Sequence, residues 1–272
     1  MTEFGNQIFA FAETTAGRVG EQLLRDFGAV QAEAKSDGSL VTRSDRWADG
    51  EIRDAIARTF PNHGILSEEG EHIFPPADWC WIIDPLDGTT NFTRGIPIWG
   101  ISIALLYRGT PLFGYIHLPP LQQTFHGFWQ GSSALDVPTG SFGNGIPIRP
   151  TADVPGPNQF FNLCSRSVAL APHLPAKVRM LGMATYNFLT VAAGTCIGGV
   201  EATPKIWDIA AAWAIVRASG AVWVPLDSAE IFPLKSGFDY GDRSFPTLVA
   251  SQTQWLDTFE PLAESKLGFR PN

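Results

Sequence analysis

Residues 79–92 read Trp79-Cys80-Trp81-Ile82-Ile83-Asp84-Pro85-Leu86-Asp87-Gly88-Thr89-Thr90-Asn91-Phe92. The opening aromatic and β-branched run predicts a buried strand, and Asp84-Pro85 is expected to end it. Two carboxylates then stand at the carboxyl end of a sheet strand, where open α/β sheets bind ligands. Pro85 fixes φ and removes a donor, so Asp84 and Asp87 can converge from a tight turn. Hard divalent cations such as Mg²⁺ take several oxygens, and these two carboxylates with the carbonyl between them suit that demand. Gly88 and Thr89 follow with backbone N–H groups at a turn or helix start, where an anion docks. Singly, Asp-Pro and Asp-Gly are ordinary turn pairs. Strand, spaced acids and Gly-Thr-Thr together point to a metal and phosphate site.

Outward from this string, two more acidic features matter. Glu68-Glu69 follow a candidate strand at 64–67, and Asp208 precedes the alanine-rich stretch Ala210-Ala211-Ala212. Alone, the first pair reads as solvated charge. Asp208 alone reads as the N-cap of a helix running to Ser219, with Gly220 just past its end. Ile8, Ala12, Val19, Leu23 and Phe27 lie on one broad face of a first helix, and Gly28 is a plausible stop. Lys35 to Ser39 is a turn signal. A second helix is expected from Ser44 or Asp45 to Thr59, closed by Pro61. Strand candidates at 99–106, 112–117 and 123–129 read as a meander.

Residues 147–157 hold four prolines and continue neither regular element. They suggest a boundary near residue 150, between an N-terminal α+β subdomain over 1–150 and a C-terminal α/β subdomain over 151–272. The second half alternates strand candidates (159–163, 221–224, 247–250) with helical patterns, as in a mixed α/β layer.

The 272 residues are 44% hydrophobic and 17% charged, which suits a globular protein with ample core. A net charge of −8 disfavours a nucleic-acid polymer or an anionic membrane as partner. No apolar run approaches a membrane span, and the start, Met1 to Gly5, has no signal-peptide pattern. Cys80, Cys164 and Cys196 are widely scattered, as expected of reduced thiols in a cytoplasmic protein. The five histidines show no ligand spacing and read as structural or surface residues. An acidic protein that handles an anionic substrate must bring cations to its site.

These pieces resemble the inositol monophosphatase family, within the fructose-1,6-bisphosphatase-like superfamily. The resemblance rests on the string from Trp81 to Phe92, on Ser67-Glu68-Glu69-Gly70, on the stretch from Asp37 to Asp45, and on Trp207-Asp208-Ile209-Ala210-Ala211. It spans about residues 35–220. It implies a layered α-β-α-β-α sandwich, usually a homodimer, with Mg²⁺ dependence and often lithium sensitivity. Carried over by position, the metal ligands are Glu68, Asp84, the Leu86 carbonyl, Asp87 and Asp208, holding two or three Mg²⁺. Glu69 fits less well than Glu68. Thr89 and Asp45 match the pair around the attacking water, with Glu68 orienting or deprotonating it. Gly88, Thr89 and Thr90 match the phosphate cradle. Ala184, in Gly182-Met183-Ala184, and Glu201 match the substrate pocket, with Asp208 at its edge.

The implied reaction is hydrolysis of a small phosphate monoester by water that the cations activate, without a phosphoenzyme. Inositol 1-phosphate is the leading substrate by resemblance. Histidinol phosphate, fructose 1,6-bisphosphate and a 3′-phosphoadenosine nucleotide stay open. The segment Ala202-Thr203-Pro204-Lys205-Ile206, Met183 and Ser219-Gly220-Ala221 depart from the inositol-specific pattern. Lys205 either touches an anionic substrate or is solvated. A haloacid-dehalogenase-like phosphatase also carries Asp-Gly-Thr, but its chemistry uses Asp-x-Asp, and Asp84 and Asp87 are spaced differently. A binding protein that keeps the metal or phospholigand without turnover is the non-enzyme alternative.

Overall fold

The computed structural model describes residues 2–35, 40–133, 135–137, 139–227 and 230–268. The expected turn at Lys35 to Ser39, and Asp37 with it, falls largely outside the described residues.

The helices are α1 (Glu3–Asp26), α2 (Arg43–Thr59), α3 (Thr89–Thr93), α4 (Ala184–Ala192), α5 (Ile206–Ser219) and α6 (Leu256–Leu267). A short ribbon pairs β1 (Glu33–Ala34) with β2 (Leu40–Val41). The larger sheet runs in sequence order through β3 (Gly64–Ser67), β4 (Trp79–Asp87), β5 (Gly100–Tyr107), β6 (Thr110–Leu118), β7 (Gln123–Phe128), β8 (Gly140–Gly143) and β9 (Ile146–Pro147). Only β3 and β4 pair in parallel there; from β4 onward the sheet is an antiparallel meander, as the glycine and proline punctuation suggested. The second sheet comprises β10 (Phe160–Leu163), β11 (Lys177–Arg179), β12 (Gly198–Glu201), β13 (Val222–Pro225) and β14 (Thr247–Ala250), in the order β11-β10-β12-β14-β13.

The period-two geometry of a strand explains the layers. Trp81 and Ile83 of β4, and Ile101, Ile103 and Leu105 of β5, face α1 and α2 in one buried cluster. Cys80 and Ile82, and Ala104 and Leu106, face the other way, toward α4 and α5. A sheet covered on both faces needs continuous apolar strands, which is why 79–83 shows no alternation. Helix α5 is apolar nearly all round because it is sandwiched between the two sheets. A Cβ at Gly114 of β6 would run into the Ala211 backbone, so glycine lets α5 lie close on the sheet. Helix α6 covers the outer face of the second sheet. The result is the α-β-α-β-α sandwich expected from the sequence.

Three local expectations need correction. Strand β4 does not stop at Pro85 but continues to Asp87 through a register shift between Asp84 and Asp87. Helix α2 starts at Arg43, with Thr42 as N-cap, so Asp45 is its third residue. Asp208 is likewise not an N-cap: α5 starts at Ile206 after Lys205, and Asp208 is its third residue. Among the described residues no helix is long and apolar enough to cross a membrane.

Candidate active site

The bulge in β4 decides the site. Between Asp84 and Asp87 the chain slips in register against β5, a device that re-aims side chains beside functional sites. Asp84 Oδ1 accepts the Leu86 N–H at 3.0 Å, which closes the turn. Gly88 then takes φ +90°, and a Cβ there would lie 3.0 Å from the Ile98 carbonyl oxygen. Only glycine makes that turn without strain, and it sends the chain straight into α3.

Several helix N-termini meet here. Asp87 lies at the start of α4: its Oδ2 accepts from Thr185 N at 3.0 Å and Thr185 Oγ1 at 2.6 Å. The backbone amides of Ala184 and Gly88 also lie near enough to favour its charged form. Asp208 Oδ2 accepts the Lys205 N–H at 2.7 Å in the first turn of α5. Asp45 holds the same place in α2, where its Oδ2 accepts Thr42 N at 2.8 Å and Thr42 Oγ1 at 2.5 Å. The positive end of each helix favours the carboxylate form.

Asp84, Asp87 and Asp208 each offer an oxygen, and these oxygens lie within 4.8 Å of one another. Asp84 is 1% exposed. Burial pushes it well above the usual carboxylate range, and the charges of Glu68, Asp87 and Asp208 add to the shift. Burial, then Asp87, does the same to Asp208. Asp87 is also raised by burial, against the pull of Thr185. Two like charges about 4 Å apart at an effective dielectric of 20 repel by about 4 kcal/mol. Three closely spaced carboxylates, Asp84 and Asp87 buried and Asp208 partly exposed, therefore need protons or a cation, and an all-oxygen set suits a hard divalent ion. The donor set fits Mg²⁺.

Glu68 lines the same cleft, of about 170 Å³, with Leu40, Asp84, Leu86, Asp87, Gly88, Thr89, Thr90 and Asp208. It is not one of the three clustered acids. Lys35 Nζ bonds its Oε1 at 2.9 Å and the Glu69 Oε1 at 2.5 Å. Burial lifts Glu68 to about 7 against the pull of Lys35. Glu69, left aside on sequence grounds, is thus held by the same ammonium. Thr89 Oγ1 lies 3.0 Å from Asp45 Oδ1 and 3.1 Å from the Leu86 carbonyl.

The remaining expected residues, Glu201, Ala184 and Lys205, are not among those that line this cleft. Glu201 is buried beside Asp87, accepts a hydrogen bond from Asn187 Nδ2, and is lifted to about 7 by burial. Ala184 is the first residue of α4, one before the Thr185 that bonds Asp87. Lys205 Nζ donates to the Gly241 carbonyl at 2.8 Å. Lys205 is partly exposed, and this bond leaves two of its N–H donors for water or an anionic substrate. A larger cleft near Trp129, Trp213 and Trp223 gathers no comparable acids.

Sequence reasoning missed Lys35, Thr185, Asn91 and His72. Asn91 Nδ2 donates to the Ile98 and Leu181 carbonyls at 2.8 and 2.9 Å, stapling the segment before α4 to the motif. His72 packs on Trp207 with ring centroids 4.8 Å apart, and its Nε2 lies 2.9 Å from the Glu68 carbonyl. Asn91 lies inside the quoted string and could have been found there; the other three carry no local signal.

Comparison with known proteins agrees with this geometry. The model of the inositol monophosphatase family matches residues 6–258. A fructose-1,6-bisphosphatase/inositol-1-monophosphatase of Thermotoga maritima is 30% identical over 233 residues, covering 83% of this chain and 87% of its own. An inositol-1-monophosphatase of Mesorhizobium japonicum is 31% identical over 226 residues, covering 79% and 84%. The Nus factor SuhB of Escherichia coli K12 is 30% identical over 230 residues, covering 78% and 82%. A solved Thermotoga maritima IMPase superposes with a TM-score of 0.82 at 27% identity, covering 96% of this chain and 98% of its own. The chain belongs to the inositol monophosphatase family, a family of phosphoric monoester hydrolases.

Proposed function

We propose that the protein hydrolyses a small-molecule phosphate monoester with Mg²⁺, releasing the alcohol and inorganic phosphate by direct attack of water on phosphorus. The observation that carries this reading is the group of three carboxylate oxygens, from buried Asp84 and Asp87 and partly exposed Asp208, within 4.8 Å of one another beside a Thr–Asp pair.

Asp84, Asp87, Asp208, Glu68 and the Leu86 carbonyl are the proposed ligands of two or three Mg²⁺. Bound there, Mg²⁺ neutralises the phosphate dianion and acidifies water. The chain does the rest. Asp45 is saturated on one oxygen by Thr42, so its other oxygen accepts a hydrogen bond from the Thr89 hydroxyl. The Thr89 oxygen then keeps lone pairs to accept a proton from water and aim it at phosphorus. Glu68 lines the same cleft and is the second group proposed to orient or deprotonate that water. The amides of Thr89 and Thr90, in the first turn of α3, have no partner within the helix and are the proposed phosphate donors. Gly88 supports them by its left-handed turn, at φ +90°. Ala184, Glu201 and Asp208 border the proposed leaving-group side, where the buried Glu201 carboxylate would accept a substrate hydroxyl.

An inositol-1-phosphate-like ester is the leading substrate. The Thermotoga maritima relative is named for fructose 1,6-bisphosphate as well as inositol 1-phosphate, so both belong in the comparison. We also propose lithium sensitivity, a homodimer, two subdomains dividing near residue 150, and a reducing cytoplasmic setting. The last suits three free cysteines, two of them buried. The test is release of inorganic phosphate from inositol 1-phosphate, histidinol phosphate, fructose 1,6-bisphosphate and a 3′-phosphoadenosine nucleotide, with and without Mg²⁺. Mg²⁺-dependent release from at least one ester is expected. Tight Mg²⁺ binding with no release from any ester favours the binding protein without turnover.

A further inference from the structure

Helix α2 presents Asp45, Asp49 and Arg53 one turn apart. Asp45 meets Thr89, just past the end of β4. Asp49 meets Ser67, the last residue of β3: Ser67 Oγ donates to Asp49 Oδ1 at 2.5 Å, with both side chains buried. Arg53 Nη1 lies 3.5 Å from Asp49 Oδ2 and rests over Gly70, where a Cβ would come within 2.9 Å of that nitrogen. The turn from Ser67 to Gly70, closed by Gly70 N donating to the Ser67 carbonyl at 3.2 Å, carries Glu68 and Glu69. A helical turn advances about 5.4 Å and neighbouring strands lie about 4.8 Å apart. Consecutive turns of α2 therefore match the ends of the parallel neighbours β3 and β4.

We propose that Asp49 is a positioning residue for Glu68. By holding Ser67 it fixes the root of the turn that bears Glu68, while Lys35 engages the tip. Asp45 fixes Thr89 from the next turn of the same helix. Helix α2 thus acts as a strut that sets the separation of the Glu68 carboxylate and the Thr89 hydroxyl across the cleft. The inference deepens the hydrolytic reading and rests on it.

The alternative is a buried polar pair that only stabilises the fold. The two separate in a mutant cycle of Asp49→Ala, Ser67→Ala, the double variant and Asp49→Asn in the full chain. Two readouts are taken at a temperature where circular dichroism shows each variant folded. One is kcat and KM for the fastest-cleaved ester of the panel. The other is the Mg²⁺ concentration that half-completes the rise in Tm with Mg²⁺ alone. Each single alanine variant is expected to lower kcat about 10- to 100-fold, the usual effect of losing a residue that orients a ligand, with KM little changed. Each also needs more Mg²⁺ for its thermal response. The double variant is no worse than the singles, and Asp49→Asn, which keeps an acceptor oxygen, returns most of the activity. Unchanged kcat, effects that multiply, or an Asn variant as impaired as the Ala variant overturns the proposal. If Asp49→Ala does not fold, Ser67→Ala carries the test alone. Absence of phosphate release from the wild type would sink the hydrolytic reading instead, while the Mg²⁺ response still decides on Asp49.

Discussion

Asp45 and Asp208 hold the same position in two distant helices. Each is the third residue of its helix, and each gives one carboxylate oxygen to the N–H of the residue before the helix, Thr42 at 2.8 Å and Lys205 at 2.7 Å. The capping bond clamps one oxygen and leaves the other to the cleft, toward Thr89 in one case and toward Asp84 and Asp87 in the other. The cap is reciprocal in α2, where Thr42 Oγ1 also accepts the Asp45 N–H, and one-way in α5, where lysine offers no side-chain acceptor; in both the capping carboxylate is held by the helix start.

Charge removal at the cluster separates activity from stability. Asp84→Asn and Asp208→Asn keep the side-chain shape, and the Asn at 208 still has an oxygen for the Lys205 amide. Both variants are expected to lose kcat by more than about 100-fold, beyond the range typical of residues behind the ligands. Their metal-free Tm should equal or exceed that of the wild type, because a mutually repelling buried charge is gone. Phosphate-release kinetics and thermal melts in chelator check both halves.

Thr89 offers a narrower test. Thr89→Ser keeps the hydroxyl that bonds Asp45, and Thr89→Ala removes it. The serine variant should stay within about tenfold of wild type, and the alanine variant should lose about 100-fold or more in kcat, the scale of a lost general-base relay. Steady-state assays at saturating Mg²⁺ measure the difference.

The pH dependence of the metal-free protein follows from the raised carboxyls. Asp84, Asp87 and Asp208 are lifted by burial, and Glu68 and Glu201 are lifted to about 7. Their folded-state values exceed those of the unfolded chain, so the folded state binds more protons and is favoured at low pH. That advantage is lost as pH rises from the ordinary carboxylate range through the raised values, about 7 for Glu68 and Glu201. Mg²⁺ relieves the repulsion in the ionised cluster. The Mg²⁺-induced rise in Tm should therefore be larger at pH 8 than at pH 5, which melts with Mg²⁺ or EDTA will show.

Gly88 tests the turn that carries the motif. Its φ of +90° and the 3.0 Å approach of a would-be Cβ to the Ile98 carbonyl oppose any side chain. Gly88→Ala should destabilise by about 1–2 kcal/mol from the left-handed backbone alone. Denaturant unfolding measures this.

Much of the layered fold could be read from β4, because a sheet covered on both faces demands the unbroken apolar run seen at 79–83. The clustered aspartates were legible too, since bulge, proline and glycine act within a few residues. What lay hidden depends on distant partners. No local pattern announces that Lys35 reaches Glu68 and Glu69, or that Thr185 receives Asp87. The start of α5 was misread because Lys205 is not a capping residue by type, and the cap comes from Asp208 three positions inside. Asp49 was within reach: it follows Asp45 by one turn, on a buried face that also holds Ile52 and Ile56.

Anomalous diffraction from a crystal soaked in Mn²⁺ tests the metal cage most directly. A peak bridging the carboxylates of Asp84, Asp87 and Asp208, lost in the Asp84→Asn variant, is the expected result. A cleft that stays free of metal at millimolar Mn²⁺, or a peak held by other residues, would contradict the account.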